Sequence, residues 1–387
     1  MRNLIDGYMQ RHPIQARENW QSKVEKLGFS YHTLDGATYW DESVYYDFSY
    51  QQVEVLENAT RDLYRLCLEA VDYVIKNNLL HLFSIPERFG HFIKVSWNND
   101  TPSIYGRFDL SWSGGDKTPP KMLEFNADTP TSLFEASVVQ WFWLKEVNEK
   151  GDQFNSIHEK LVAWWKKIKP FLHTHRLYFS CLDEFPEDFV NVSYLQDCAA
   201  QAGIPTRFIN VQDIGLKRTI FTDLSEKKIH NVFKLYPWEW MMNEEFGPCL
   251  LQTDTLWIEP PWKMILSNKA ILPILWKLFP GHANLLETYF GDPGPMTSYA
   301  KKPLLSREGA NITLIENESI VQETTGEYGE EGFVCQQLKK LPCFDGNYPV
   351  IGSWLIGGRP AGIGIRETTS LVTDNFSRFV PHVIASS

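Results

Sequence analysis

Charged and amide side chains alternate with apolar ones in two short segments of this sequence. Arg107 and Asp109 lie two residues apart in the first segment, and Glu124 and Asn126 lie two apart in the second. Side chains two apart on a β-strand share a face. If the two segments are strands that pair, their carboxylates and amide form a cluster of oxygen donors beside Arg107, which suits Mg²⁺ and a bound phosphate. The alternative is the exposed polar face of an ordinary strand pair.

The segment 126–132, NADTPTS, supplies further polar groups immediately before an apolar helical pattern. Its hydroxyls and carboxylate are typical of a helix N-terminus, where they cap free backbone N–H groups. The same hydroxyls and N–H groups could instead receive an anionic substrate group. The residues alone leave both interpretations open.

A basic loop in the segment 301–311, KKPLLSREGAN, lies between two strand-like runs. Lys302 and Arg307 could offset the charge of a triphosphate beneath such a loop. The alternative is a solvated hairpin loop, and the GxxxxGK[ST] pattern of a P-loop is missing from the sequence. The later segment 362–366, GIGIR, indicates a close-packed strand that delivers Arg366.

Composition excludes several classes of protein. The net charge of −11 and the pI near 5.5 argue against a sequence-independent nucleic-acid binder and against binding to an anionic membrane. The six cysteines are scattered without a CxxC pair, which favours reduced thiols over a zinc site or a disulfide framework. Residues 1–6 lack a signal-peptide core, and no run approaches the roughly 18 apolar residues of a membrane span. We therefore expect a cytoplasmic protein without nucleic-acid or membrane partners.

The spacing of apolar residues predicts a mixed α+β and α/β fold. Helical spacing predicts helices over 50–77, 134–147, 157–171 and 268–279. Alternation predicts strands over 104–112 and 121–126, which flank a turn-rich segment at 113–116. Residues 176–235 read as an α/β insert with strands at 177–182, 206–211 and 232–235 and a helix at 190–202. Later runs predict a mostly antiparallel sheet from strands at 299–305, 312–316, 334–338, 350–356 and 361–366.

Seven motifs in combination resemble the synthetase domain of the glutathionylspermidine synthase family, from about residue 20 to the end. They are YGRFDLSW, LEFNADTPTS, FKLYPWEW, SNKAILPILWKLFP, AKKPLLSREGANI, CQQL and GIGIRE. The resemblance implies an ATP-grasp fold of permuted order, with the metal-ligand segment early and the nucleotide-gripping lysines late. It implies one catalytic unit over 1–387. Within it, a pre-ATP-grasp-like α/β lobe is inserted at about 176–260, and about 265–387 form the nucleotide and metal site together with 100–135.

The resemblance also implies a ligase that uses ATP and two Mg²⁺ ions to activate a carboxylate as an acyl phosphate and pass it to an amine. The residues implied at the metal are Asp109, Glu124 and Asn126. Those implied at the nucleotide are Lys269, Lys302, Arg307, Gln336, Gln337, Leu338, Lys339, Leu371, Val372 and Thr373. Arg107 and Arg366 would stabilise charge at the reacting groups. Substrate contacts would come from Thr129 and Thr131 on the carboxylate side and from Glu187 and Asp188 on the amine side.

Departures from the family pattern lie mainly on the substrate side. Thr129 and Thr131 stand where the family has serines that contact glutathione, and Trp240 replaces a glutathione-contacting threonine. Arg378 stands in the place of a polyamine-facing aspartate, and Val350 replaces a nucleotide-side glutamine. We therefore expect an intact ATP half of the site. The acyl donor would be a glutathione-like peptide or another carboxylate, and the acceptor a polyamine or another amine.

Two other classes of function stay open at this point. One is a catalytically silent, ATP-binding regulatory protein of the same fold. The other is a carbohydrate-active enzyme that uses Asp109 and Glu124 as paired acid and base. The lysine and arginine segments have no role in the second alternative, which the residues therefore disfavour.

Overall fold

The structure is a computed structural model that describes residues 8–115 and 118–385. Residues 1–6 and residue 116 of the predicted turn lie outside the described residues. The α-helices are Trp20–Lys26, Tyr50–Lys76, Gly90–Asn98, Gln140–Val147, Ile157–Ile168, Pro186–Gln201, Trp238–Asn243, Lys263–Leu266 and Ile271–Leu278. Short 3₁₀ turns are Leu80–Phe83, Glu87–Phe89, Lys169–Phe171, Val211–Asp213 and Gly247–Leu251. Within these described ranges, no helix is long and apolar enough to cross a membrane.

The long helix Tyr50–Lys76 confirms the helix that apolar spacing predicts over 50–77. Ser49 begins it with a capping box, in which the Ser49 hydroxyl accepts from the N–H of Gln52 and the Gln52 side chain accepts from the N–H of Ser49. Its apolar stripe packs on one face of a five-stranded sheet that we call the central sheet. The helix therefore fixes the back of the sheet whose front carries the polar cluster.

The central sheet is antiparallel and joins early and late parts of the chain. Its strands in order are Arg378–Val380, Arg359–Thr368, Tyr348–Ile356, Tyr105–Ser111 and Lys121–Asn126. The pairing of the two early strands is thereby confirmed. Alternate residues of Tyr105–Ser111, such as Phe108 and Leu110, are fully buried against the long helix. The intervening residues face the opposite side, where the candidate site lies.

A second antiparallel sheet, which we call the loop sheet, carries the basic loop. Its strands in order are Thr288–Phe290, Phe333–Gln337, Tyr299–Pro303, Thr313–Glu316 and Ser319–Glu323. The prediction of one antiparallel sheet after residue 298 is therefore wrong in its pairing. The strands divide between two sheets because Tyr348–Ile356 pairs with Tyr105–Ser111 rather than with the strands that precede it.

The parallel sheet consists of Leu256–Ile258, Asn231–Leu235, Leu177–Cys181 and Thr206–Phe208, in that order. Helices Ile157–Ile168 and Pro186–Gln201 cover one of its faces, and the second of these begins four residues earlier than predicted. The predicted helix over 134–147 contains a π-helical stretch, Glu135–Val139, before its α-helical part. Smaller sheets are also present. One has three strands, Gln10–Pro13, Val44–Phe48 and His382–Ile384, in that order. Two others have two strands each and pair Gly215–Lys217 with Ile220–Thr222 and Thr33–Leu34 with Ala37–Thr38.

Candidate functional site

The polar cluster on the front of the central sheet is built by strand register. Asp109 lies opposite Glu124, and Arg107 lies opposite Asn126. The Asn126 amide nitrogen is 3.1 Å from Oδ2 of Asp109 and 3.4 Å from Oε1 of Glu124. The two carboxylates and the amide therefore converge on one point, as the alternation of the sequence predicts.

The donor set of this cluster fits a hard divalent cation. Asp109 and Glu124 supply carboxylate oxygens, and the amide oxygen of Asn126 can face them after rotation of its terminal group, since O and N are assigned by hydrogen bonding. Among the described residues, no group of three or more His, Cys, Asp or Glu side chains could hold a metal. A cation here would thus have two carboxylates and an amide as protein ligands, and Mg²⁺ commonly completes such a set with water and phosphate.

Arg107 is locked beside the cluster. Its guanidinium donates to both oxygens of Asp109, at 2.7 and 3.2 Å, and to the carbonyl oxygen of Thr131 at 2.7 Å. Gly352, on the neighbouring strand Tyr348–Ile356, lies against the side chain of Arg107. A Cβ at this position would lie 2.8 Å from Cδ of Arg107. Gly352, which the sequence analysis does not single out, therefore makes room for the arginine.

Two buried lysines approach the cluster from the other side. Lys269 forms an ion pair with Glu124 at 3.1 Å, and Lys302 donates to Oε1 of Gln336 at 2.8 Å. Burial opposes ionisation of Glu124, but Lys269 and Lys302 outweigh it and lower its pKa to about 2. Burial lowers the pKa of Lys302 to about 8, although Glu124 acts in the opposite direction. The cluster therefore stays anionic while it is flanked by cations.

A cleft between the central sheet and the loop sheet contains most of the nucleotide residues expected from the sequence. It encloses about 760 Å³ of empty space including its mouth. Its polar end is formed by Asp109, Glu124, Lys269 and Lys302. Its apolar end is lined by Ala300, Ile312, Leu314, Leu338, Leu341, Val350, Leu371 and Val372, with Gln337, Lys339 and Thr373 alongside. A cleft with an apolar end and lysines at the other end suits a nucleotide, because the base is flat and the phosphates are anionic. Gln336 also lines the cleft, and its side chain accepts a hydrogen bond from Lys302.

The basic loop closes over the polar end of this cleft. Arg307 donates to Oγ1 of Thr129 at 2.7 Å and to the Glu239 carboxylate. Its guanidinium lies 5.9 Å from the ring centroid of Trp240. Gly309 has a φ of +71° and lies so close to Thr373 that a Cβ would meet the carbonyl oxygen at 2.5 Å. The loop is thus folded against both sheets rather than extended into solvent.

Three neighbouring carboxylates behind Thr131, those of Glu135, Glu187 and Asp188, are named the acidic pocket below. The pKa of Glu187 is raised by burial, and its carboxylate accepts a hydrogen bond from Thr131. Burial and the charge of Glu187 raise the pKa of Asp188 to about 7. Burial and Glu187 also raise the pKa of Glu135 to about 8, and Tyr39 donates to Glu135 at 2.8 Å. Such a group of carboxylates, held partly protonated, gains from an incoming cation. Glu135 is a residue that the sequence analysis misses.

Comparison with known proteins decides the family. The model of the family described as "Glutathionylspermidine synthase preATP-grasp" matches residues 11–385. The chain belongs to the glutathionylspermidine synthase family. The resemblance noted in the sequence is therefore confirmed.

Proteins similar to this chain differ in length and in the activity that their names state. The Haemophilus influenzae protein named "Putative acid--amine ligase" is 40% identical over 384 residues, which are 95% of this chain and 97% of that protein. The Escherichia coli bifunctional glutathionylspermidine synthetase/amidase is 30% identical over 98% of this chain but only 66% of its own length. A solved apo structure of a glutathione synthetase-like effector from Globodera pallida has a TM-score of 0.55 at 12% identity, with 95% of this chain covered. The last of these supports the mixed α/β fold alone.

Arg366 and Arg378, both singled out by the family resemblance, lie on opposite faces of the central sheet. Arg366 lines a small cavity with Arg107 and Asp109 and donates to the carbonyl oxygen of Asp374. Arg378 is paired with Glu367 rather than with the acidic pocket, at 2.7 Å, and also contacts Asp41 at 3.0 Å. Strand register turns the side chain of Arg378 to the face opposite Arg366. The expectation that it marks a reversed charge at the amine side stays a prediction.

A side chain of another helix binds N–H groups at the start of the helix that follows segment 126–132. The side-chain oxygen of Asn191 accepts from the N–H groups of Leu133 and Phe134, at 2.9 and 3.3 Å. These N–H groups are therefore not available to an anionic substrate. The Thr129 hydroxyl accepts from Arg307, and the Thr131 hydroxyl donates to Glu187. The expected contact of these two residues with the carboxylate substrate stays a prediction.

A buried ion pair, Glu259 with Lys263, holds the ends of both cluster-bearing strands. Glu259 accepts from the N–H groups of Ile104 and Tyr105 at 2.8 and 3.1 Å. Lys263 donates to the carbonyl oxygen of Ala127 at 2.6 Å. Leaving either charge unpaired in this interior would be costly, so the pair fixes the spacing of the strands. No local pattern of the sequence points to this pair.

Proposed function

We propose that this protein is an ADP-forming carboxylate–amine ligase that works through an acyl phosphate. The observation that carries the proposal is the convergence of Asp109, Glu124 and Asn126 beside Arg107, at the cationic end of an apolar cleft. Family membership supports the same activity, since the Haemophilus relative is named "Putative acid--amine ligase" and the Escherichia relative "Bifunctional glutathionylspermidine synthetase/amidase". The order of the elements, with metal ligands early and lysines late, supports a permuted ATP-grasp site.

Each group has a role that follows from its charge. Asp109, Glu124 and Asn126 would hold Mg²⁺, which neutralises phosphate charge when bound. Lys269 and Lys302 bind the nucleotide phosphates, and Arg307 reaches the terminal phosphate from the covering loop. Arg107 and Arg366 face the cavity where the carboxylate would accept the phosphoryl group, and they stabilise the negative charge that gathers there.

The acidic pocket provides the second half of the reaction. Glu187 and Asp188 attract a protonated amine, and their raised pKa values allow them to accept its proton as it approaches the acyl group. The amine nitrogen then forms the amide bond while the carbon–oxygen bond to phosphate breaks. The covering loop excludes water, since an acyl phosphate hydrolyses if water reaches it.

Product analysis tests this proposal. The protein is incubated with Mg-ATP and a mixed pool of peptides, thiols and polyamines, and mass spectrometry searches for a product that lacks one water relative to an acid–amine pair. We expect such an amide together with stoichiometric ADP. Nucleotide binding without ADP release in any pool would instead identify a silent regulatory protein and refute the ligase.

A further inference from the structure

Ser180 and Lys234 lie side by side on the face of the parallel sheet that the two helices leave uncovered. They are register partners in the strands Leu177–Cys181 and Asn231–Leu235. Each is the last residue but one of its strand. Ligands of open α/β sheets bind beyond the carboxyl ends of the strands, so these two residues stand where a ligand is expected.

Ser180 and Lys234 line a pocket. It holds about 410 Å³ of empty space including its mouth. The walls are mostly aliphatic and aromatic and consist of Val211, Ile214, Leu216, Phe221, Met241 and Phe246. A pocket with such walls binds an apolar group.

The few polar groups of the pocket are mainly donors. The Ser180 hydroxyl and the indole Nε1 of Trp257 are buried and have no hydrogen-bond partner among the described residues. Tryptophan can only donate, so a ligand atom that satisfies it must be an acceptor. Lys234 is already neutralised by Asp128 at 2.6 Å and has further acidic neighbours in Glu239 and Glu259. A neutral carbonyl oxygen suits these surroundings better than a carboxylate.

The pocket adjoins the carboxylate side of the candidate site. Asp128, the partner of Lys234, directly precedes Thr129, which accepts from Arg307. On the other side Tyr236 lines the pocket and packs edge-on against Trp240, with ring centroids 5.5 Å apart. The pocket therefore neighbours the residues that contact Arg307, with Asp128 on one side and Trp240 on the other.

We infer that the pocket receives a bulky aliphatic side chain of the acyl donor, together with a neutral amide carbonyl beside it. The acyl donor is then a peptide-like acid with a leucine-sized apolar residue. This inference rests on the proposed ligase function, because it gives the pocket a role in selecting the acid. It explains why two buried donors are left for a ligand to satisfy.

The first test is binding of a neutral probe, N-acetyl-leucine methylamide, measured by saturation-transfer NMR without nucleotide. Leu216→Trp fills the pocket from an exposed strand, and Leu224→Trp is its control, since Leu224 is 73% exposed and does not line the pocket. Ser180→Ala removes one donor, and Ser96→Ala is its control because Ser96 is likewise buried and unpartnered. We expect Leu216→Trp to abolish probe binding and Ser180→Ala to weaken it about fivefold, with both controls unchanged. Equal binding by all variants would overturn the inference.

The second test separates the pocket from the ligase proposal. ADP release is compared for glycyl-glycine and glycyl-leucine as acids in the presence of a mixed amine pool. A lower KM for the leucine peptide, lost in Leu216→Trp but kept in Leu224→Trp, supports the inference. ADP release that ignores both the side chain and Leu216→Trp would overturn the pocket assignment and leave the ligase standing. No ADP release with any acid, despite normal probe binding, would overturn the ligase and with it the acyl-donor role.

Discussion

Nζ of Lys269 lies 3.1 Å from the Glu124 carboxylate and 2.6 Å from the carbonyl oxygen of Ser306. One side chain thus connects the oxygen cluster of the central sheet to the base of the covering loop. A lysine already desolvated and held between two partners needs little reorganisation to meet a phosphate. Movement of the loop and the charge of the cluster are therefore coupled through Lys269.

Asp109→Asn should abolish most of the acid-dependent ADP release while leaving the protein folded. The amide keeps the size of the side chain but removes one charge from the cluster and from the pairing with Arg107. Loss of one such group typically costs about 10²–10³ in rate. A coupled ADP assay measures the effect, and circular dichroism checks the fold. Asp72→Asn, which removes an exposed ion pair with Lys76, is the control, and full turnover in Asp109→Asn would show that the site is elsewhere.

Nucleotide binding should weaken as pH rises through the pKa of Lys302. Burial lowers that pKa to about 8, so the side chain is a cation below this pH and loses its charge above it. The dissociation constant for Mg-ATP, measured by calorimetry between about pH 7 and 9, should therefore rise with pH. Lys302→Met should bind weakly and remove this part of the pH dependence. Lys301→Met is the matched control, because Lys301 points the other way, over the ring of Phe333. An unchanged pH profile in Lys302→Met would contradict the assignment.

Much of the fold and of the cluster follows from local sequence patterns. The two-residue spacing of Arg107 and Asp109 fixes the face on which they lie, and the helix Tyr50–Lys76 follows from its apolar stripe. Such periodicities report burial on one face, which depends on neighbours along the chain. They do not report which distant strand is the partner. For that reason they predict one sheet for the late strands, which form two.

Residues that act through tertiary contacts leave no signal in the local spacing of apolar residues. Glu135 lies in an apolar helical pattern, and only the approach of Glu187 and Tyr39 makes its carboxyl a part of the acidic pocket. The role of Arg378 depends on strand register, which a single sequence does not fix. The signal for Gly352 is a glycine inside a strand pattern, which often marks a close approach of another group.

Gly352→Ala should displace Arg107 and lower turnover with little effect on nucleotide binding. A Cβ at this position would lie 2.8 Å from Cδ of Arg107, so the guanidinium must shift from Asp109. Misplacement of a positioned group by about 1 Å can cost about 10²-fold in rate. We expect a reduced kcat for ADP release and an unchanged dissociation constant for Mg-ATP. Gly90→Ala, whose Cβ would make only an ordinary contact at 3.5 Å, is the control, and wild-type kcat in Gly352→Ala would contradict the positioning role.

Affinity for the amine should rise with pH because Asp188 titrates near neutrality. Burial and the charge of Glu187 raise the pKa of Asp188 to about 7, so the group is largely neutral below this pH and anionic above it. Since an alkyl amine remains protonated, its KM should fall as pH rises from about 6 to 8. Asp188→Asn should raise the KM and flatten its pH dependence, while Asp183→Asn, an exposed change in the same segment, should do neither. An identical KM in Asp188→Asn would move the amine site elsewhere.

The covering loop should be protected from proteolysis when Mg-ATP is bound. Arg307 is held by Thr129, Glu239 and the ring of Trp240. A terminal phosphate would add a charge-assisted contact and order the segment 306–311 further. Cleavage by trypsin at Arg307, followed by mass spectrometry, should slow with Mg-ATP. Glu239→Gln should speed cleavage in the apo protein, because it weakens the ion pair, and nucleotide should restore protection. Glu245→Gln changes a nearby carboxylate other than the one that pairs with Arg307, and it should behave as the wild type. If digestion were the same with and without nucleotide, Arg307 would have no role in closure.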